Sequence, residues 1–364
     1  MRVVVAPDKF AGTLTAVEAA EAIAAGWRRR IPDAEITQIP MSDGGPGFVD
    51  VLHAALGGTL LAVTVPDPYG APVPATILRV GDTAYVESAQ AIGLHLTDAT
   101  ARRPMVGSSR GLGELVRAAV EDGAARVVVG AGGTGTNDGG AGLLAGLGAT
   151  SAGGALDRGP EALAEVREVD VEPARALAAR AELVLASDVD NPLLGLVGAT
   201  KTFGPQKGLT EEQLLLVDGR LQHLAELVDR KAATLKGAGA GGGIGYALLL
   251  LGATRRPGVD VVAEAVDLPG ALTGADLVVT GEGAFDFSSR SGKVPYGVAQ
   301  VAAERLVPCI ALAGQVLVGS REMRALGIEA AYSVVDRAGE ERAFAEPAAA
   351  LSELAERVAR TWGR

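Results

Sequence analysis

The chain has 364 residues, more than one hydrophobic core usually serves, so two domains are expected. Apolar residues at 48% and charged residues at 21% argue against disorder. The 44 acidic against 33 basic residues, a formal net charge of −11, argue against nucleic-acid and anionic-membrane partners. Fifty glycines stand against an average usage of about 7%, so backbone has to approach something closely at many points. The single cysteine, Cys309, excludes an intramolecular disulfide framework, and its apolar neighbours from Val307 to Ala313 read as packing in a reducing compartment. The apolar stretch after Met1 is too short for a signal peptide, and no apolar run approaches the roughly 20 residues of a membrane span, so a cytoplasmic protein is expected.

Val3 to Ala6 predicts a strand ending at Pro7, and the Thr15/Glu18 pair predicts a capping box opening a helix to about Arg30. A second strand over Glu35 to Ile39 leads through Asp43-Gly44-Gly45 into a helical pattern ending at Leu56. From Thr59 to Ser88 the pattern becomes short strands around Leu61–Val65, Ala75–Leu78 and Ala84–Val86, with no helix between them. Arg126–Val129, Leu183–Ala186, Leu277–Thr280 and Cys309–Leu312 are continuous apolar runs suited to parallel strands covered on both faces. Helices are expected over Gly113–Asp122, Thr210–Lys231, Val294–Leu306 and Glu346–Trp362, the second behind a Thr210/Gln213 cap.

Ligands of open α/β sheets collect at the carboxyl ends of strands. Loops carrying polar residues fall there at Pro7–Phe10, Ser42–Gly45, Gly130–Gly140, Ser187–Pro192 and Gly281–Asp286. Gly130, Gly132 and Gly135 formally match GxGxxG, but the acidic residue that a dinucleotide fingerprint needs at the next strand end is missing, since Asp157 lies in a Gly/Pro-flanked stretch. Tight turns and close packing are an equal explanation for any one of these glycines. No GxxxxGK[ST], GxSxG, CxxC or HExxH motif occurs, and His53, His95 and His223 are too scattered for a histidine metal site. Carboxylates, lysines and amides remain, an inventory that fits phosphoryl transfer assisted by Mg²⁺.

The segments APDKFAGTLTA from Ala6, SDGGPGF from Ser42, SSRGLGEL from Ser108, GGTGTNDGGAG from Gly132, SDVDNPLLG from Ser187, FGPQKG from Phe203, GAGAGGGIG from Gly237 and GEGAFDFSSRSGKVPYGVA from Gly281 resemble, in this order, the bacterial glycerate kinase family of the glycerate 2-kinase type. The resemblance runs along nearly the whole chain. It implies an α/β protein of two domains: a discontinuous flavodoxin/Rossmann-like parallel-sheet domain (1–64 plus 275–364) and an inserted mixed α/β domain with glycine-rich loops (65–274). It also implies ATP, Mg²⁺ and D-glycerate meeting in an interdomain cleft to give 2-phosphoglycerate. A related hydroxy acid as substrate and a non-catalytic sensor are the alternatives. A homodimer is compatible with the sequence. The family pattern commonly has lysine where this chain has Ala11 and glutamate where it has Pro46.

Asp188 and Asp190 follow a buried strand, and one of them is expected to accept the hydroxyl proton or ligate Mg²⁺, an Asx turn being the rival role. Lys293 is the third catalytic candidate, through phosphate, and Glu282 with Asp286 are the metal candidates. Gly132, Gly133, Thr134, Asn137, Asp138, Gly281, Glu282 and Gly283 are the nucleotide-binding candidates, with helix capping the alternative for Asn137 and Asp138. Asp8, Lys9, Asp43, Arg110 and Asn191 are the substrate-binding candidates, Arg110 as a fork for the glycerate carboxylate.

Overall fold

The computed structural model describes residues 1–286 and 293–363. The chain opens with strands β1 (Arg2–Pro7) and β2 (Glu35–Gln38), continues through β3 (Thr59–Pro66), β4 (Pro72–Val80), β5 (Thr83–Glu87), β6 (Arg126–Gly130), β7 (Thr150–Ala152), β8 (Glu168–Asp170), β9 (Glu182–Ala186) and β10 (Thr254–Arg256), and ends with β11 (Leu277–Phe285), β12 (Cys309–Val316) and β13 (Ala330–Ser333). Contacts divide it into two compact units, one of Met1–Asp43, Asp50–Gly57 and Pro257–Arg364, the other of Gly44–Val49 and Gly58–Arg256.

In the first unit Val3, Val4 and Val5 are buried on both faces of a parallel sheet, as their unbroken apolar run requires. The order β13-β12-β11-β1-β2 is all parallel. Counting this unit's own strands in chain order, that is the doubly wound order 2-1-3-4-5, whose connections reverse direction between β1 and β11. The first helix, Ala16–Arg30, starts at the expected capping box: Glu18 N–H donates to Thr15 Oγ1 at 3.2 Å and Thr15 N–H to Glu18 Oε2 at 2.8 Å. It buries Trp27 and Ile23 against the last helix, Pro347–Trp362.

The second unit has a core of its own around Ile77, Val86, Leu112, Val129, Leu185 and Ile244. Its sheet runs β10-β9-β6-β5-β4-β3; β3, β4 and β5 form an antiparallel meander, while β5, β6, β9 and β10 are parallel. The pairs Glu87↔Gly130 and Gly130↔Ala186 set three strand ends in one row. β7 and β8 make a separate antiparallel pair.

Candidate active site

The reversal point of the first unit gathers charged groups. Asp8 leaves β1 with its N–H on the Gly281 carbonyl at 2.8 Å, so the Asp8-Lys9 turn and Glu282 stand side by side at adjacent strand ends. Lys9 Nζ lies 3.5 Å from Asp8 Oδ1 and 3.6 Å from Asp43 Oδ1. Lys293 Nζ, beside the start of helix Val294–Glu304, lies 3.4 Å from both Glu282 Oε2 and Asp286 Oδ1. Asp8 is 6% and Glu282 5% exposed, so solvent screens these two carboxylates little, while Lys9, Asp43, Lys293 and Asp286 are half-buried.

Burial pushes the Asp8 carboxyl up to about 7; Lys9 opposes the rise, and Asp43 and Glu282 add to it. Burial acts to lower the Lys9 ammonium, but Asp8 and Asp43 outweigh it and hold Lys9 above the usual lysine range. Both groups depart from solution behaviour, as residues of working sites often do.

The sequence places Gly281–Asp286 in a loop, whereas β11 continues to Phe285, pairing with β12 as far as Phe285↔Val316. Close approach explains the difference: a Cβ on Gly281 would lie 2.0 Å from the Leu312 carbonyl oxygen, and one on Gly283 3.0 Å from Ala11 N. The motif's next six residues, 287–292, lie outside the described residues. Beside Gly283 and Ala284 opens a cavity of about 210 Å³ lined also by Phe10, Ala11, Gln315 and Phe344, so Ala11, where the family pattern has lysine, stands on its wall.

Among the described residues, no three or more His, Cys, Asp or Glu side chains form a set able to hold a metal ion. Glu282 and Asp286, already bridged by one cation in Lys293, are instead the donor set that suits Mg²⁺, which takes one or two carboxylates and completes its shell with water and phosphate oxygens.

In the second unit the 130–140 turn follows β6. Gly132 N–H donates to the Gly44 carbonyl at 3.1 Å, and a Cβ on Gly132 would lie 2.5 Å from Gly45 Cα. Gly133, with φ +73°, rests against the ring of Pro46, the second departure from the family pattern. The Gly133 carbonyl accepts from Leu94 N–H and Gly135 N–H donates to the Ile92 carbonyl, so the turn is clamped along the 92–94 segment. Glu87, buried at the end of β5, accepts from the Gly47 and Val49 amides at 3.2 Å and secures the Gly44–Val49 segment that lies against this turn. No motif marks Glu87; only its position at the end of a strand pattern could have drawn notice.

Asp138 is fully buried and accepts from Ser109 N–H, Ser109 Oγ, Gly140 N–H and Gly142 N–H at 2.7 to 3.1 Å. Burial raises its carboxyl, those donors opposing. Its oxygens are committed to the starts of helices Arg110–Glu121 and Ala141–Gly146. Asn137 Nδ2 donates to Thr200 Oγ1 at 3.0 Å.

After β9, Asp188 is half-buried, while Asp190 is 59% exposed on its side chain and held by Arg255 at 2.6 Å and Lys236 at 3.4 Å. Asn191 Nδ2 donates to the Val197 carbonyl at 2.7 Å and stabilises its own turn. Arg110 is engaged by Glu114 at 2.7 Å and Asp157 at 2.5 Å, which raise its basicity against a small burial effect. Nε and Nη1 of Arg110 are thus taken, and a substrate carboxylate would have to share the guanidinium with these two acids.

Lys207 escaped the sequence reading of the site altogether. It is 2% exposed, and its Nζ donates to the Thr136 carbonyl at 2.6 Å and to Thr134 Oγ1 at 3.3 Å. Its place in the FGPQKG segment was the available signal.

Charged groups gather at the reversal point of a doubly wound sheet and glycine turns at the strand ends of a second sheet, the places where α/β enzymes hold small ligands. A crystal structure described as glycerate kinase 2 from Salmonella typhimurium LT2 superposes with a TM-score of 0.84 at 37% identity, covering 99% of this chain and 98% of that one. The chain belongs to the glycerate kinase family, whose model matches residues 3–363. It is 41% identical over 345 residues to the glycerate kinase of Bacillus subtilis, covering 92% of this chain and 90% of that protein. With the glycerate 2-kinase of Escherichia coli it shares 39% identity over 349 residues, covering 93% and 92%. Among the described residues, no helix is long and apolar enough to cross a membrane.

Proposed function

We propose that the protein phosphorylates D-glycerate at its 2-hydroxyl with ATP, giving 2-phosphoglycerate. The observation that carries this reading is the linked group Asp43–Lys9–Asp8 and Glu282–Lys293–Asp286, four carboxylates and two ammonium groups around the reversal point of one sheet. Kinase chemistry needs such a group, because the protein's part in phosphoryl transfer is chiefly to position reactants and offset charge. The family relatives named glycerate kinase and glycerate 2-kinase support the substrate and the position.

When bound, ATP supplies the phosphoryl group and Mg²⁺ offsets the charge of its phosphates. Glu282 and Asp286 would hold the metal, and Lys293, now paired with both, would offer its charge to a phosphate oxygen. The mainly apolar cavity beside Gly283 and Ala284, with Gln315 on its wall, would suit a flat nucleobase. Lys9 takes the glycerate carboxylate, and Asp8 and Asp43 orient its hydroxyls. Gly133 and Thr134 offer a turn amide and a hydroxyl to an anionic group, while Gly132, through its bond to the Gly44 carbonyl, and Asn137 and Asp138 shape that turn. Asp188 accepts the proton of the attacking hydroxyl; Asp190, carrying two cations of its own, supports the turn together with Asn191.

The test is ADP release with Mg²⁺, ATP and a panel of small hydroxy acids, with the product read by phosphorus NMR. D-glycerate should be turned over fastest and give 2-phosphoglycerate. ATP binding without glycerate-dependent ADP release overturns the catalytic reading, and 3-phosphoglycerate overturns the position.

A further inference from the structure

The FGPQKG segment has no part in the mechanism above. Helix Ala199–Phe203 is followed by the tight turn Pro205–Lys207, which Gly208 ends at φ +97°. This delivers the Lys207 side chain into the interior of the second unit, under the 130–140 turn. Buried lysines are ordinarily paired with an acid. Among the described residues no carboxylate ion-pairs with Lys207, and the acidic group acting on it, Asp138, is already engaged by Ser109, Gly140 and Gly142.

One more polar atom of the same turn that can donate to an anion, the Thr136 Oγ1 hydroxyl, is buried without a hydrogen-bond partner. Polar atoms left so are expected where something else completes the site. Room for the lysine is made by Gly242, where a Cβ would lie 2.7 Å from Lys207 Nζ and 2.0 Å from the Thr136 carbonyl oxygen.

We propose that Lys207 is a positioning residue that makes the 130–140 turn a receptor for an oxyanion, fixing Thr134 and Thr136 from beneath and supplying the positive charge behind them. The oxyanion is a nucleotide phosphate or the carboxylate of the hydroxy acid. The inference rests on the reading of this turn as a ligand-binding element. An anion at the turn supplies the counter-charge that the interior lacks, so binding and the burial of Lys207 favour each other. Burial lowers the ammonium to about 7, with Asp138 only partly offsetting it, so the lysine is poised to gain charge as the anion arrives.

The experiment measures the affinities of ATP, ADP, AMP and D-glycerate for the full-length protein and its Lys207→Met variant, with thermal melting as the check on folding. The expected result is a loss graded by phosphate charge, about tenfold or more for ATP and least for AMP, with D-glycerate unchanged. A loss confined to D-glycerate supports the carboxylate as the anion. Unchanged affinities in a folded variant, or an equal loss for all three nucleotides, overturn the proposal. Should methionine prevent folding, Lys207→Gln keeps a donor for the Thr136 carbonyl, and native affinity in that variant is equally decisive against it.

Gly135→Val, whose Cβ would press on the 93–94 backbone at 3.3 Å from Leu94 Cα and so shift the turn, separates the two levels of inference. If it leaves every affinity intact, the turn binds no ligand and both readings fall. If it weakens binding while the Lys207 variants do not, only the role of Lys207 falls.

Discussion

Asp138 Oδ2 accepts from both the amide and the hydroxyl of Ser109, a residue 29 positions earlier, at 2.7 and 2.9 Å. One buried carboxylate thereby ties the first turn of helix Arg110–Glu121 to that of Ala141–Gly146. Replacing it by alanine strands buried donors at both helix starts. Asp138→Ala should lower unfolding free energy by about 3 kcal/mol or more in urea titrations, since each unsatisfied buried donor costs about 1–3 kcal/mol. A loss below about 1 kcal/mol would mean that water replaces the carboxylate.

Asp8 should weaken the ligand-free fold above neutral pH. Its folded pKa is raised from 3.8 to about 7, so its contribution to stability is greatest below about pH 4 and is lost as pH rises through about 7. Metal-free Asp8→Asn should therefore gain stability relative to the parent across this window while losing about tenfold or more in kcat/KM. A stability difference that does not change between pH 4 and 8 contradicts the elevated pKa.

Asp188→Asn and Asp190→Asn test the assignment of the proton acceptor. The first should lower kcat by about a hundredfold, within the usual range for a general base, and the second by less than about threefold. Equal retention of turnover by both variants removes the base from this turn.

Lys293→Met should raise the KM for ATP by about tenfold and Glu282→Gln should raise the Mg²⁺ concentration needed for half-maximal rate, because each loses a partner for the phosphate–metal group. Chelation with EDTA should abolish turnover and added Mg²⁺ restore it. Full activity in EDTA contradicts the metal reading.

Two glycine substitutions should act in opposite directions. Gly242 has φ +75° and its Cβ would meet the Thr136 carbonyl oxygen at 2.0 Å, so Gly242→Ala should cost about 3 kcal/mol or prevent folding. Gly219, inside helix Glu211–Leu227 with nothing within 4 Å of its Cβ position, should gain about 0.5–1 kcal/mol as alanine. Denaturant melts of the two variants give the comparison directly.

Local features were legible because their causes are local. The Thr15/Glu18 and Thr210/Gln213 capping boxes form where their spacing places them, and the apolar runs at Val3, Arg126, Leu183, Leu277 and Cys309 are parallel strands because both faces are covered. The ordered motifs likewise carried the family, a property of the residues themselves. What the sequence could not decide depends on residues far apart in the chain. Gly281 and Gly283 look like a loop until β12 and the turn at Ala11 fill the space that side chains would need. Arg110 reads as a fork for a substrate carboxylate, and only the fold sets Glu114 and Asp157 against it; Lys207 drew no reading at all, because only the fold covers it with the turn at Thr134–Thr136. Spacing sets propensity and periodicity, but burial and charge pairing are sums over neighbours that only the folded chain assembles.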